Sequence, residues 1–162
     1  MSQEPPVVPD AIHFYRVGDL YGELSNFAPF PIECDGQLWP TSEHYFQAQK
    51  FLDSAMRQRI REEVSPMIAA RLGRNRSLPI REDWEQVKED VMRAALSAKF
   101  TQHPSLRQLL LATGDAHLVE RTANDRYWGD GGDGSGLNRL GELLVELRTK
   151  LRAAVMHDAG DL

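Results

Sequence analysis

Between Trp39 and Phe51 the chain reads WPTSEHYFQAQKF, which sets a carboxylate, an amide and an ammonium at Glu43, Gln47 and Lys50. Steps of four and three residues bring these groups to one face if the segment is helical. Thr41, just after Pro40, is a good N-cap, so Glu43 falls in the first helical turn. Two readings stay open. Acids are favoured there by the helix dipole, and the three residues can be an ordinary solvated face opposite Tyr45, Ala48 and Leu52. Alternatively they line a cleft in which the carboxylate handles a water or a sugar hydroxyl. His44 points only weakly to zinc, because HExxH spacing and any Cys–His pattern are absent.

Three other places could carry chemistry. GELSNF, from Gly22 to Phe27, offers Ser25 and Asn26 either as ligand contacts or as a turn bonded to its own backbone. NDRYWGDGGDGSGLNRLG, from Asn124 to Gly141, interleaves six glycines with Asp125, Asp130, Tyr127, Trp128 and Asn138. An EF-hand order cannot be placed on it, and no Gly-Lys-Ser/Thr closes it as a P-loop. What remains is a structural loop, or a glycine-rich loop that runs into a helix with amides suited to an anion and rings suited to a base or ribose. Trp84 is a core tryptophan or an aromatic wall. Arg71, Arg74, Arg76 and Arg81 are a solvated face or a phosphate clamp.

The elements that must position these residues can be read in outline. Ala11–Val17 alternates as a strand. Asp35-Gly36 between Pro31–Cys34 and Gln37–Trp39 signals a hairpin. Ser65-Pro66 is an N-cap and N1 pair, with Gly73 as the stop. Trp84, Val87, Val91, Ala94 and Ala98 mark a long amphipathic helix. Pro104 opens another that Gly114 closes, and Leu118–Val119 suit a short strand. Leu140 to about Val155 is helical. The expected architecture is mainly α (α+β), with a small antiparallel sheet packed on helices. We expect a flexible tail over 1–10, one domain over 11–156 and a short tail over 157–162.

Composition limits the classes of function. With 162 residues, 41% hydrophobic and 27% charged, the chain can build a core. A net charge of −5 argues against a protein that coats DNA, though not against a local basic pocket. Cys34 is the only cysteine, so no internal disulfide forms, which suits a reducing compartment. Neither a secretory signal nor a bilayer-length apolar run is visible, and the expected location is the cytoplasm.

From Phe14 to about Arg148 the chain resembles the NADAR family, most closely its YbiA-like bacterial branch. The resemblance rests on FYRVGDLYGELSNFAPFPI, DGQLWPTSEHYFQAQKF, SPMIAARLGRNR, WEQVKEDVMRAAL and NDRYWGDGGDGSGLNRLGELLVELR, in that order. It implies a YbiA-like helical fold and an N-glycosidase. The branch is associated with hydrolysis of early riboflavin-pathway intermediates, the ribosylamino-pyrimidine phosphates. The wider family includes enzymes that remove ADP-ribose from guanine bases.

Carried over by the resemblance, the site positions are Glu43, Trp84, Asp125 and Asp130. Glu43 is expected as general base or oxocarbenium stabiliser, with Asp125 or Asp130 as its polar partner. Trp84 and Trp128 are expected to shape the base and ribose pocket. Ser25, Asn26, Lys50, Arg71 and Asn138 are expected ligand contacts. No metal or cofactor is expected. The partner is a small ribosyl phosphate or ADP-ribose-type molecule, with ADP-ribosylated guanine in nucleic acid as a further case, and no membrane or protein partner. The rival readings are a non-catalytic reader of ADP-ribose or nucleotide and a calcium-stabilised module.

Overall fold

The computed structural model describes residue 4 and residues 7–160. The remaining positions of the two expected tails lie outside the described residues. In chain order the elements are β1 (Ala11–Phe14), a 3-10 turn (Gly22–Leu24), β2 (Ile32–Cys34), β3 (Gln37–Trp39), α1 (Ser42–Ala48) and α2 (Ser54–Glu62). They continue with α3 (Pro66–Arg74), α4 (Trp84–Gln102), α5 (Pro104–Ala112), β4 (His117–Glu120) and α6 (Arg139–Gly160). The fold is mainly helical α+β, as expected. No helix among the described residues is long and apolar enough to cross a membrane. The contacts gather into two compact units, Glu23–Leu106 and a second built from the chain ends up to Gly22 and from Arg107.

In the Glu23–Leu106 unit, β2 and β3 form the expected antiparallel hairpin, with Cys34 opposite Gln37. Asp35 and Gly36 take φ of 54° and 76°, the left-handed pair that a two-residue hairpin needs. Thr41 caps α1 through His44 N, and Ser65 caps α3 ahead of Pro66 at its first turn. The core gathers Ile32, Trp39, Tyr45, Ala48, Phe51, Met56, Ile60, Ala69 and Ala95.

Several details of this unit differ from the sequence reading. All seven residues of α1 are buried, because α2, α3, α4 and β3 all pack against it, so it has no wet face. Leu52, placed on its apolar stripe by extrapolation, is 72% exposed because α1 has already ended at Ala48. Gly73 does not stop α3, which runs to Arg74 and is capped by Asn75. On α4 the buried stripe runs through Met92, Ala95, Leu96, Lys99 and Phe100, while Ala94 is exposed.

The second unit contains a strand pair that the spacing did not show. β1 pairs in parallel with β4, Ala11 opposite His117 and Phe14 opposite Glu120. Parallel pairing needs a long crossover, and the stretch between the two strands supplies one. The expected strand ends early, at Phe14, before the turn in which Asp19 N bonds to Arg16 O. α6 packs on β4 and buries Leu140, Leu143, Leu144 and Leu151. Gly141 is required there, since a Cβ would fall on Leu118 O. α6 continues past Val155 to Gly160, so part of the expected C-terminal tail is helix.

Candidate active site

The start of α1 is held from several sides. Asn26 O accepts from Glu43 N at 3.2 Å, and Asn26 Oδ1 accepts from Ser42 Oγ at 2.9 Å. The Asn26 amide group donates to Met92 Sδ on α4 at 3.3 Å. Asn26 is therefore a buried brace between the GELSNF loop, α1 and α4. Glu43 is only 6% exposed, and its Oε1 accepts a hydrogen bond from Gln47 Nε2 at 2.7 Å. A buried carboxylate needs such donors, because an unpaired charge away from water is strongly disfavoured.

Around that pair sit three further groups. Gln47 is 2% exposed, and its Oε1 has no hydrogen-bond partner among the described residues. An orphan acceptor of this kind costs about 1–3 kcal/mol. Gly73 makes room for it: a Cβ there would fall on Gln47 Oε1 and lie 2.8 Å from its Cβ and Cδ. Lys50 is buried, with Nζ donating to Gly73 O at 3.3 Å. Its Nζ lies 5.9 Å from the ring centroids of both Phe46 and Trp84. Trp84 opens α4, is 6% exposed and leans on Phe46 at 5.2 Å between centroids. Thus Glu43, Gln47, Lys50 and Trp84 belong to one buried polar and aromatic cluster, and of the two readings left open for the first three the solvated face is excluded.

Lys99 was not singled out in the sequence, and His44 was weighed there only as a weak pointer to zinc; both are buried. Lys99 is 0% exposed and donates to Glu23 O at 2.6 Å and Ser25 O at 2.8 Å. Burial pushes its ammonium down to about 7, with the Glu23 charge opposing that shift. It thereby pins the carbonyls that lead into Asn26. Its signal was positional: Lys99 continues the buried stripe of Met92, Ala95 and Leu96 by helical steps. His44, also 0% exposed, pairs Nδ1 with Thr41 Oγ1 at 2.7 Å and Nε2 with Glu63 O at 2.8 Å. Both ring nitrogens are engaged, and burial holds the imidazole below its usual range.

The other residues of this unit are placed less suggestively. Ser25 Oγ accepts from Phe27 N at 3.2 Å, the backbone-turn arrangement. Arg71 is exposed on α3 and reaches Met67 Sδ at 3.6 Å. Arg81 is tied to Asp83, Nε to Oδ1 at 2.6 Å and Nη2 to Oδ2 at 2.9 Å.

In the second unit the glycine-rich loop is organised by its own acids. Asp125 Oδ1 accepts from Tyr127 N at 2.9 Å and Trp128 N at 2.8 Å. Asp130, which is buried, accepts through Oδ1 from Thr122 N at 3.1 Å and Gly132 N at 2.8 Å. Trp128 is half-buried, edge-on to Tyr127 at 4.9 Å. Asn138 mimics a strand: its Oδ1 accepts from Glu120 N at 3.0 Å and its Nδ2 donates to Leu118 O at 2.9 Å.

The expected anion cradle at the start of α6 is not what the loop builds. The amides of Gly136, Leu137, Asn138, Arg139 and Leu140 bond to the oxygens of Asp130, Arg126, Gly129, Tyr127 and Trp128. Those donors are spent on closing the loop, and the glycines permit that closure. Gly131, Gly132 and Gly134 all have positive φ.

Comparison with known proteins follows the same outline. The NADAR domain model matches residues 13–152. An N-glycosidase YbiA of Shigella boydii is 66% identical over 140 residues, covering 86% of this chain and 88% of that protein. A riboflavin biosynthesis protein of Vibrio vulnificus is 40% identical over 146 residues, covering 90% of this chain and 40% of that longer protein. The E. coli protein YbiA, solved by NMR, superposes with a TM-score of 0.86 at 62% identity, covering 93% of this chain and 90% of the other.

Proposed function

This chain belongs to the NADAR family and is an N-glycosidase of that family, and we propose that it hydrolyses the C1–N bond of a ribosylamino-pyrimidine phosphate. The observation that carries the reading is the buried Glu43 carboxylate, held by Gln47 beside Lys50 and Trp84. The riboflavin-related name of the Vibrio relative supports the substrate class. The proposed setting is the cytoplasm, where such an intermediate would arise.

The chemistry needs what this cluster offers. As the C1–N bond breaks, its electron pair leaves with nitrogen and positive charge builds on the ribose ring. A carboxylate in a poorly hydrated site stabilises that oxocarbenium-like charge more than it could in water. Glu43 also takes a proton from the water that attacks C1. The proton taken up by Glu43 passes, by way of water, to the departing nitrogen, which leaves as the free aminopyrimidine; C1 keeps the hydroxyl, giving ribose 5-phosphate, and Glu43 is again a carboxylate. We assign the aromatic wall to Trp84 and the phosphate contacts to Lys50 and Arg71. Asp125 and Asp130 are assigned loop-holding roles, because their carboxylates already serve backbone amides.

The test is single-turnover release of free base by wild type and by Glu43→Gln, with melting curves on both. A ribosylamino-pyrimidine phosphate and an ADP-ribosyl-guanine oligonucleotide serve as parallel substrates. Loss of base action alone lowers the rate by about 10²–10⁴-fold, or roughly 3–5.5 kcal/mol of barrier. Binding should change little, since the effect arises in the transition state. Undiminished turnover by folded Glu43→Gln removes Glu43 from the reaction. Tight binding without turnover by wild type makes the protein a reader instead. Turnover of the guanine adduct alone moves the substrate to the ADP-ribose class.

A further inference from the structure

We propose that Gln47 is a positioning residue for Glu43, and that Gly73 exists to let it take up that position. The inference rests on the Glu43 reading above. Gln47 Nε2 donates to Glu43 Oε1 at 2.7 Å, one turn along the same helix. The other end of the amide, Oε1, is buried with no hydrogen-bond partner among the described residues.

A glutamine serving only packing would be replaced without loss by an apolar side chain of the same length, since the orphan oxygen is unfavourable. What the amide supplies, and methionine would not, is an N–H aimed at the carboxylate. The amide orientation follows from the same contact. Turning it over would set Oε1 against the oxygen of an ionised Glu43 and lose the donor. Hydrogen bonds to charged groups are the stronger kind, and they fix direction as well as energy.

Gly73 completes the device. It lies inside α3, where glycine is less favourable than alanine. Alanine is nevertheless barred, because its Cβ would occupy the place of Gln47 Oε1 and crowd Gln47 Cβ and Cδ at 2.8 Å. The Gly73 carbonyl also accepts from Lys50 Nζ, so the same glycine touches both flanks of the cluster. A substitution at position 73 is therefore transmitted to Glu43 through Gln47.

The experiment compares Gln47→Met, Gly73→Ala, Gln47→Ala and the Gln47→Ala/Gly73→Ala double variant with wild type and Glu43→Gln. Steady-state kinetics use the substrate that wild type turns over, at a temperature well below every melting transition. In Gln47→Met we expect kcat to fall about 10- to 100-fold, the scale of one hydrogen bond to a charged group, with KM nearly unchanged. Gly73→Ala should fall similarly on its own, and should add much less in the Gln47→Ala background, where the contacts with Oε1 and Cδ are gone and only the 2.8 Å approach to Cβ remains.

Wild-type kcat in Gln47→Met, alongside an inactive Glu43→Gln, overturns this inference and leaves the Glu43 reading standing. Additive losses in the double variant overturn the Gly73 half. Retained turnover in Glu43→Gln, or none by wild type on either substrate, overturns the Glu43 reading and this inference with it. Should Gln47→Met not fold, the Gly73→Ala comparison in the two backgrounds still decides.

Discussion

Asn26 and Glu43 are joined through the main chain: the Asn26 oxygen accepts the Glu43 amide hydrogen at 3.2 Å. The loop that carries Asn26 thus sets where the Glu43 backbone begins its helix. The Asn26 side chain strengthens the join through Ser42 Oγ and reaches across to Met92. Asn26 was expected to touch ligand. Its bonds make it a brace, and the two roles have different kinetic signatures. Asn26→Ala should lose stability of about 0.5–1.5 kcal/mol per bond removed, and should lower kcat while leaving KM close to wild type. Urea unfolding and steady-state kinetics measure both. A large rise in KM at unchanged kcat would return Asn26 to the substrate contacts.

Lys99 holds the same loop from α4, and its burial makes it sensitive to pH. Its folded value of about 7 lies below the ordinary lysine value, so between the two the unfolded chain carries a proton that the folded chain lacks. Unfolding in that window takes up a proton, and raising pH therefore favours the folded state. Below about pH 7 both states are charged and the cost of burying the ammonium is present in full. The unfolding free energy of wild type minus that of Lys99→Met should shift toward wild type between pH 7 and pH 10. The raised thiol of Cys34 and phenol of Tyr45 are common to both proteins and cancel in the difference. A difference that stays flat across the window would show that Lys99 does not lose its proton there.

Trp84 was open to two readings, and its burial gives weight to the packing one. At 6% exposed and leaning on Phe46, it should cost roughly 3–5 kcal/mol on truncation to alanine. Trp84→Phe keeps a ring against Phe46 and should recover most of that stability. If the indole also forms the wall for the leaving base, Trp84→Phe will remain slow in turnover after the fold is restored. Thermal melting and single-turnover rates on the two variants separate the contributions. Full activity in Trp84→Phe would confine the residue to packing.

Local chemistry was well legible in the sequence, and burial was not. The Asp35-Gly36 turn, the Thr41 and Ser65 caps and the Pro104 start are decided by neighbours a few residues away, and each stands where it was expected. Glu43 and Gln47 were correctly set on one face of α1, and Lys50, just past its end, was correctly grouped with them. Their immersion could not be seen, because it depends on α2, α3, α4 and β3 closing around a short helix. Periodicity assumes that one side of a helix stays wet, and α1 has no such side. Lys99 was passed over for the same reason: a charge on a buried stripe reads as an interruption until its carbonyl partners are known. Gly73 read as a helix stop, since its need for empty space is set by Gln47, which lies far away in the chain. The parallel pairing of β1 with β4 is likewise a long-range choice.

The loop acids yield the last prediction, because the resemblance gave them catalytic standing and the geometry gives them other work. Asp125 and Asp130 each receive two backbone amides on one carboxylate oxygen. An asparagine in either place keeps an oxygen able to accept those amides but removes the charge. Asp125→Asn and Asp130→Asn should therefore fold and keep most of their turnover, whereas Glu43→Gln should not. Asp130→Ala removes the acceptor as well. It should destabilise the loop by about 1.5–3 kcal/mol for each charge-assisted bond lost. The decisive comparison is single-turnover rate against melting temperature across the three asparagine or glutamine variants and Asp130→Ala. A folded Asp130→Asn or Asp125→Asn with turnover as low as that of Glu43→Gln would show that the acid itself takes part in the reaction, and would restore its catalytic assignment.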